Sequence, residues 1–225
     1  MLMRSEASPL AAQLRGAGAS LGEVFAFMSS LYFRGKLTYA KTFCAPPPGW
    51  PGVLVIAPGR GLVDPDLLIR VSDLLEMAGV PVDDEHSRFR EPLMRDARAL
   101  APALGEQGRA VLLGSVATDK YVDPLVRVFG DRLVFPPTFA GRGDMSRGGL
   151  LLRCAGAKTP LEYVPVRGAP RHGPKPEKLG RLPRTGAPSA LAVIARSGRS
   201  RSNRSRPAYR ARGPRRCSCC KTWAA

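Results

Sequence analysis

Val53-Leu54-Val55-Ile56-Ala57, bounded by Gly52 on one side and Pro58-Gly59 on the other, is an unbroken β-branched and apolar run. A strand with one wet face alternates apolar and polar residues, so five apolar residues in a row predict a strand buried on both faces, as in parallel sheets. Ala110-Val111-Leu112-Leu113 repeats the pattern and empties into Gly114-Ser115. Working outward, Leu67 to Met77 has helical periodicity and stops at Gly79, and Pro92 to Leu104 reads as a second helix with Pro92 in its first turn. Asp119 to Phe129 reads as a third helix despite Pro124, and Arg132-Leu133-Val134-Phe135 as a short strand. A helix follows from Ser146 through Leu150-Leu151-Leu152, and Leu161 to Val166 reads as a closing strand. Upstream, Leu21, Val24, Phe25, Met28 and Tyr32 keep helical spacing, which predicts a helix broken near Gly35 and ending before Pro46-Pro47-Pro48-Gly49. Apolar strands alternating with helices predict an α/β domain: a mainly parallel, Rossmann-like sheet with helices on both faces.

The charge is unevenly placed. The 225 residues include 35 Lys+Arg and 18 Asp+Glu, a formal charge of +17, yet the acidic residues end at Glu177. Residues 178–225 hold 13 of the basic residues and no acidic one, which leaves 22 against 18 in residues 1–177. The basicity that would by itself suggest a polyanionic partner therefore belongs mostly to the tail. Composition divides the chain into a flexible, Ala/Gly/Ser-rich N-terminus (1–20), an α/β domain (21–170) and a Pro/Arg-rich tail (171–225) too poor in apolar residues to order itself. After about Arg184 the tail has the composition of a G+C-rich gene read out of frame; a genuine basic arm has the same composition, and both readings stand. No apolar stretch approaches the ~20 residues of a membrane span and no signal core opens the chain, which predicts a cytoplasmic protein with no membrane partner. Five cysteines give no disulfide framework, and neither His86 nor His172 has ligand spacing around it.

In open α/β sheets ligands bind beyond the carboxyl ends of the strands, which singles out three segments. In Pro58-Gly59-Arg60-Gly61, the glycines Gly59 and Gly61 let backbone approach a ligand and Arg60 can clamp a phosphate or carboxylate; the alternative is a strand-ending turn with a solvated arginine. Gly114 to Tyr121 has P-loop spacing, but Asp119 and Tyr121 occupy the second-glycine and Ser/Thr positions, so only Ser115, Thr118 and Lys120 at a helix N-terminus remain as anion contacts. Thr118 as a plain helix cap is the competing reading. Gly141-Arg142-Gly143-Asp144-Met145-Ser146-Arg147-Gly148-Gly149 is the strongest local signal: Arg142, Ser146 and Arg147 on a glycine-rich turn opening a helix suit an anion, unless Asp144 pairs with Arg142 or Arg147 merely to hold the turn. Asp64, Asp119 and Asp144 each follow a predicted strand and are candidate catalytic carboxylates if they meet in one cleft. No metal set emerges, Cys217, Cys219 and Cys220 lacking a second half-site.

Ser30 to Ala40 (Ser-Leu-Tyr-Phe-Arg-Gly-Lys-Leu-Thr-Tyr-Ala), Val55 to Leu62 and Gly141 to Leu150 together resemble a family of bacterial proteins labelled hypothetical, whose pattern covers roughly residues 21–180. More distantly, the order of these phrases is similar to small α/β domains found near nucleic-acid-modifying functions. Where those domains carry Lys-Tyr-Gly-Leu, this chain has Gly59-Arg60-Gly61-Leu62. The resemblance implies a fold and no activity. Two functional expectations follow: a domain binding a phosphorylated or nucleotide-like small molecule at the carboxyl edge of its sheet, or a non-catalytic module binding nucleic acid non-specifically through its arginine-rich tail. No cofactor is indicated.

Overall fold

The computed structural model describes residues 8–180 and, as backbone, residues 220–223; the side chain of Ser30 is excepted. A short helix, α1 (Pro9–Arg15), leads through β1 (Ala19–Ser20) into α2 (Leu21–Phe43). Ser20 opens α2: its Oγ accepts from the Glu23 N–H at 3.3 Å, a side-chain N-cap, and donates to the Glu23 carboxylate at 2.9 Å. The 23 residues of α2 run without a break. Gly35, expected to interrupt it, is instead the point where another helix touches it.

After the proline stretch come β2 (Val55–Ala57) and β3 (Gly61–Val63), paired antiparallel with Ala57 opposite Gly61. Gly59 and Gly61 both have positive φ, 75° and 82°, a conformation that side-chain-bearing residues rarely adopt. They close a three-residue hairpin here and turn the chain straight back on itself. β4 (Leu68–Ile69) pairs with β1, and α3 (Val71–Ala78) and α4 (Ser87–Ala103) follow. Pro92 lies inside α4, not in its first turn. Then come β5 (Arg109–Leu112), α5 (Asp119–Phe129), β6 (Leu133–Phe135), α6 (Asp144–Ala157) and β7 (Val164–Pro165). The last strand, β8 (Cys220–Trp223), completes a four-stranded sheet ordered β7-β6-β5-β8.

The expected mainly parallel, Rossmann-like sheet with helices on both faces does not form. Among the described residues, parallel pairing is confined to β5 with β6 and β5 with β8; β6–β7, β2–β3 and β1–β4 are antiparallel, in three small sheets among many helices. The apolar run at Val53 misled because burial on both sides is not diagnostic of parallel pairing. Its turn glycines fold β2 into a hairpin where a parallel strand needs a crossover, and β2 and β5 end in different sheets. Only β5–α5–β6 is such a crossover among the described residues. The tail readings for 181–219 and 224–225, and residues 1–7 of the N-terminus expected to be flexible over 1–20, fall outside the described residues.

Strand alternation divides the core. Ala110, Leu112, Leu133 and Phe135 pack with Phe89, Leu93, Ala97 and Leu100 of α4 and Val122, Leu125 and Phe129 of α5. Val111, Leu113 and Val134 point the other way, toward Tyr39 and Ala40 of α2 and Leu151 of α6. A further cluster gathers α1, β1, the first turns of α2 and Met77 of α3. The site described next lies where α2 and α6 cross over the carboxyl ends of β5 and β6.

Candidate functional site

On α2, Tyr32, Gly35, Lys36 and Tyr39 stand three or four residues apart and so share one helical face. That face meets the first turns of α6 backbone to backbone. A Cβ on Gly35 would lie 2.7 Å from the Gly148 carbonyl oxygen, and one on Gly148 would lie 2.7 Å from the Leu31 carbonyl oxygen. Any side chain at either position would drive the helices apart. The close approach carries Tyr32 and Lys36 to the start of α6 and to the segments leaving β5 and β6.

Arg147, in the first turns of α6, is 7% exposed. Its Nε and Nη2 donate to the Phe139 carbonyl at 3.2 and 3.0 Å, and its guanidinium lies 5.6 Å from the centre of the Phe139 ring. Asp144 Oδ1 stands 3.7 Å from its Nη1, but the Asp144 side chain is 70% exposed, so this ion pair only partly offsets the buried charge. Lys36 is equally buried at 7% exposed. Its Nζ sits 4.7 Å from the centre of the Tyr32 ring and 5.2 Å from that of Phe33, an attraction between ammonium and ring faces. Among the described residues it has no ion pair or hydrogen bond. Burial pulls its pKa down to about 8, with Asp144 resisting and Arg147 adding to the fall. Tyr32 donates its hydroxyl to the Leu113 carbonyl at 2.9 Å. Burial pushes its phenol up to about 12 against the opposing pull of Arg147, so it remains a neutral donor at any ordinary pH.

The rest of the glycine-rich turn reinforces the charge. Arg142 Nη1 donates to Ser146 Oγ at 2.9 Å and its Nε to the Thr138 carbonyl at 3.3 Å. The cap of α6 is Gly143 and not Ser146 as the sequence suggested; a glycine offers no side-chain oxygen, so the first backbone N–H groups face outward at the positive end of the helix dipole. Two buried cations, a neutral phenol and an uncapped helix start thus lie together, with Asp144 as the neighbouring carboxylate.

The other residues singled out by sequence lie elsewhere or have other partners. Arg60 donates to Asp73 and, at 2.9 Å, to Glu76, both on α3. Gly59 and Gly61 serve the hairpin, and Gly61 packs so closely that an added Cβ would lie 2.2 Å from the Asp96 carboxylate. Asp96 also accepts the Leu62 N–H at 2.9 Å. Ser115 follows β5 and is half-buried, without a hydrogen bond to the described residues, and Lys120 Nζ lies 5.2 Å from the ring of Tyr121. Neither Arg60 nor Lys120 shares a hydrogen bond or ion pair with Arg142, Ser146 or Arg147 among the described residues. Thr118 does begin α5, though its side chain makes no capping hydrogen bond. The three carboxylates are separately engaged: Asp64 caps the Asp66 N–H at 2.8 Å, Asp119 pairs with Arg171 at 2.6 Å, and Asp144 stands by Arg147. No group of His, Cys, Asp and Glu among the described residues is placed to hold a metal ion, and no helix among them is long and apolar enough to cross a membrane.

Lys36 and Tyr32 were not named as site residues from sequence. The signal was present: a lysine four residues after Tyr32 interrupts an apolar helical stripe at the position where core packing would put another apolar side chain. Compared with protein-family models, with curated proteins and with solved structures, the chain finds no match. The family likeness therefore rests on the sequence phrases alone.

Proposed function

We propose that this chain binds a phosphate-bearing small molecule, of phosphorylated or nucleotide-like kind, between Lys36 of α2 and the N-terminal turn of α6. Lys36 carries the reading: a buried ammonium costs several kcal/mol when unpaired, and among the described residues no carboxylate forms an ion pair with it, Asp144 acting only from a distance. An incoming phosphate would supply the missing charge. Arg147, Arg142 and the open N–H groups of α6 would share its oxygens, Ser146 would offer a hydroxyl, and Tyr32 would stay a neutral donor. Because Lys36 titrates near 8, it can also hand over or take up a proton close to neutrality, the property a catalytic lysine would need.

Titration calorimetry with inorganic phosphate and with nucleoside mono-, di- and triphosphates tests this. The wild type should bind at least one of them in the micromolar to millimolar range, and Lys36→Met should weaken it at least tenfold while the variant stays folded. Arg60→Gln, which disturbs only contacts to α3, should leave that affinity within twofold. Equal binding by wild type and Lys36→Met would refute the assignment.

A further inference from the structure

We infer that the outer surface of α4 and α5 is a second, separate site, one that holds the phosphate backbone of double-stranded nucleic acid without reading its sequence. Three hollows adjoin α4. One, of about 710 Å³, lies between α4 and α5 and is lined by Arg90, Arg98 and Arg127 together with Glu91, Met94 and Arg95. A second, of about 420 Å³, shares Glu91 and Arg95 with it and reaches past Arg88 to Gly59. The third, of about 520 Å³, shares Ala101 with the first and ends at Arg132.

The charges along this strip are unequally engaged. Arg95 pairs with Asp96 at 2.7 Å, and Arg132 is held by the Ala101 and Gly105 carbonyls at 3.2 and 2.7 Å. The guanidiniums of Arg88, Arg90, Arg98 and Arg127 have no ion pair or hydrogen bond among the described residues, and the carboxylates lining the hollows are Glu91 and Glu106. Four unengaged guanidiniums spread over two helices make a concave positive surface that concentrates anions.

Dimensions separate a polymer from a small molecule. Arg90, Met94 and Arg98 stand four residues apart on one face, and the 17 residues of α4 extend roughly 25 Å at 1.5 Å each. A duplex rises about 3.4 Å per base pair along its axis, so the strip spans the length of roughly seven base pairs, whereas a single nucleotide would touch one end of it. The lining also separates duplex from single strand. Proteins that hold single strands stack bases on aromatic rings, and no Phe, Tyr or Trp lines these hollows. Backbone contacts by arginine alone suit a duplex whose bases stay stacked inside.

The test uses the full chain, so that the basic tail is equally present in every protein compared and cancels from the differences. Fluorescence anisotropy with a labelled 20-base-pair DNA duplex is read between 50 and 300 mM salt for the wild type, for the Arg88→Gln, Arg90→Gln, Arg98→Gln, Arg127→Gln quadruple variant, and for the same four positions changed to Lys. Each phosphate contact contributes about 0.9 to the slope of log K against log salt. The glutamine variant should therefore lose roughly 3 to 4 from the slope and bind at least tenfold more weakly at 100 mM salt, while the lysine variant keeps the wild-type slope. If the quadruple variant loses its native circular dichroism, Arg98→Gln with Arg127→Gln should reduce the slope by about 2. An unchanged slope in a folded glutamine variant, or a loss of single-strand binding as large as that of duplex binding, overturns the inference.

Discussion

At the scale of single residues, Lys36 sets charge against stability. Its fall from 10.5 to about 8 corresponds to roughly 3 kcal/mol of disfavoured charge in the folded chain at neutral pH. The folded pKa lies below the unfolded one, so between about 8 and 10.5 the unfolded chain binds more protons, and stability rises with pH across that window. Lys36→Met should remove this dependence. The variant should be more stable than the wild type by about 1 to 3 kcal/mol at pH 7, with the gap closing by pH 10.5; urea denaturation of both proteins at a series of pH values measures it. A variant less stable than wild type at pH 7 would mean that the ammonium has a neutralising partner. Lys36 interrupts an apolar stripe of α2, which marks it locally, but whether such a lysine is buried or reaches solvent depends on what the helix packs against, and that the sequence does not state. Arg142 and Arg147 were singled out because glycines around a cationic turn mark the start of a helix, and Arg60, singled out on similar grounds, pairs with Asp73 and Glu76 on α3.

At the scale of elements, the positions and types of several helices were readable. α5 matches its predicted span at both ends, and α2, α4, α6 and the strand at Ala110 were anticipated as elements. Strand pairing was not readable, because β2 and β5 have the same apolar character and differ only in whether a two-glycine hairpin or a crossover follows. The Gly35–Gly148 contact was likewise invisible, since a glycine inside a helix looks like a break until its neighbour is known. Gly35→Ala should cost about 1 to 3 kcal/mol through forced separation of the helices, despite alanine's better helix propensity. Gly156→Ala, on the same α6 with nothing within 4 Å of an added Cβ, should instead stabilise by roughly 0.5 to 1 kcal/mol. Thermal denaturation of the two variants decides, and equal shifts of the same sign would contradict the packing described.

At the scale of the whole molecule, charge and core are arranged by different parts of the chain. The +17 of the full sequence arises mostly beyond residue 177, yet the described part still gathers arginines without ion pairs among the described residues on α4 and α5 and buried cations between α2 and α6. Two of its three cores are linked by α2. Leu21, Val24 and Phe33 belong to the cluster with α1, β1 and α3, while Tyr39 and Ala40 belong to the cluster over β5 and β6. Tyr39 extends the link to the segment after α6, accepting the Leu161 N–H at 2.8 Å and bonding the Tyr163 hydroxyl. A continuous helix that enters two clusters cannot unfold in one without exposing the other, and β5 and β6 present their opposite face to the cluster of α4 and α5, so the described region should open as one cooperative unit. Native-state hydrogen exchange tests this: the central amides of α2, α4 and α5 should converge on a single free energy of opening as denaturant is added. If α2 and α3 instead exchange through a separate opening, well below that of α4 and α5, then α2 ends one cooperative unit and begins another, and the Lys36 site lies on the seam between them.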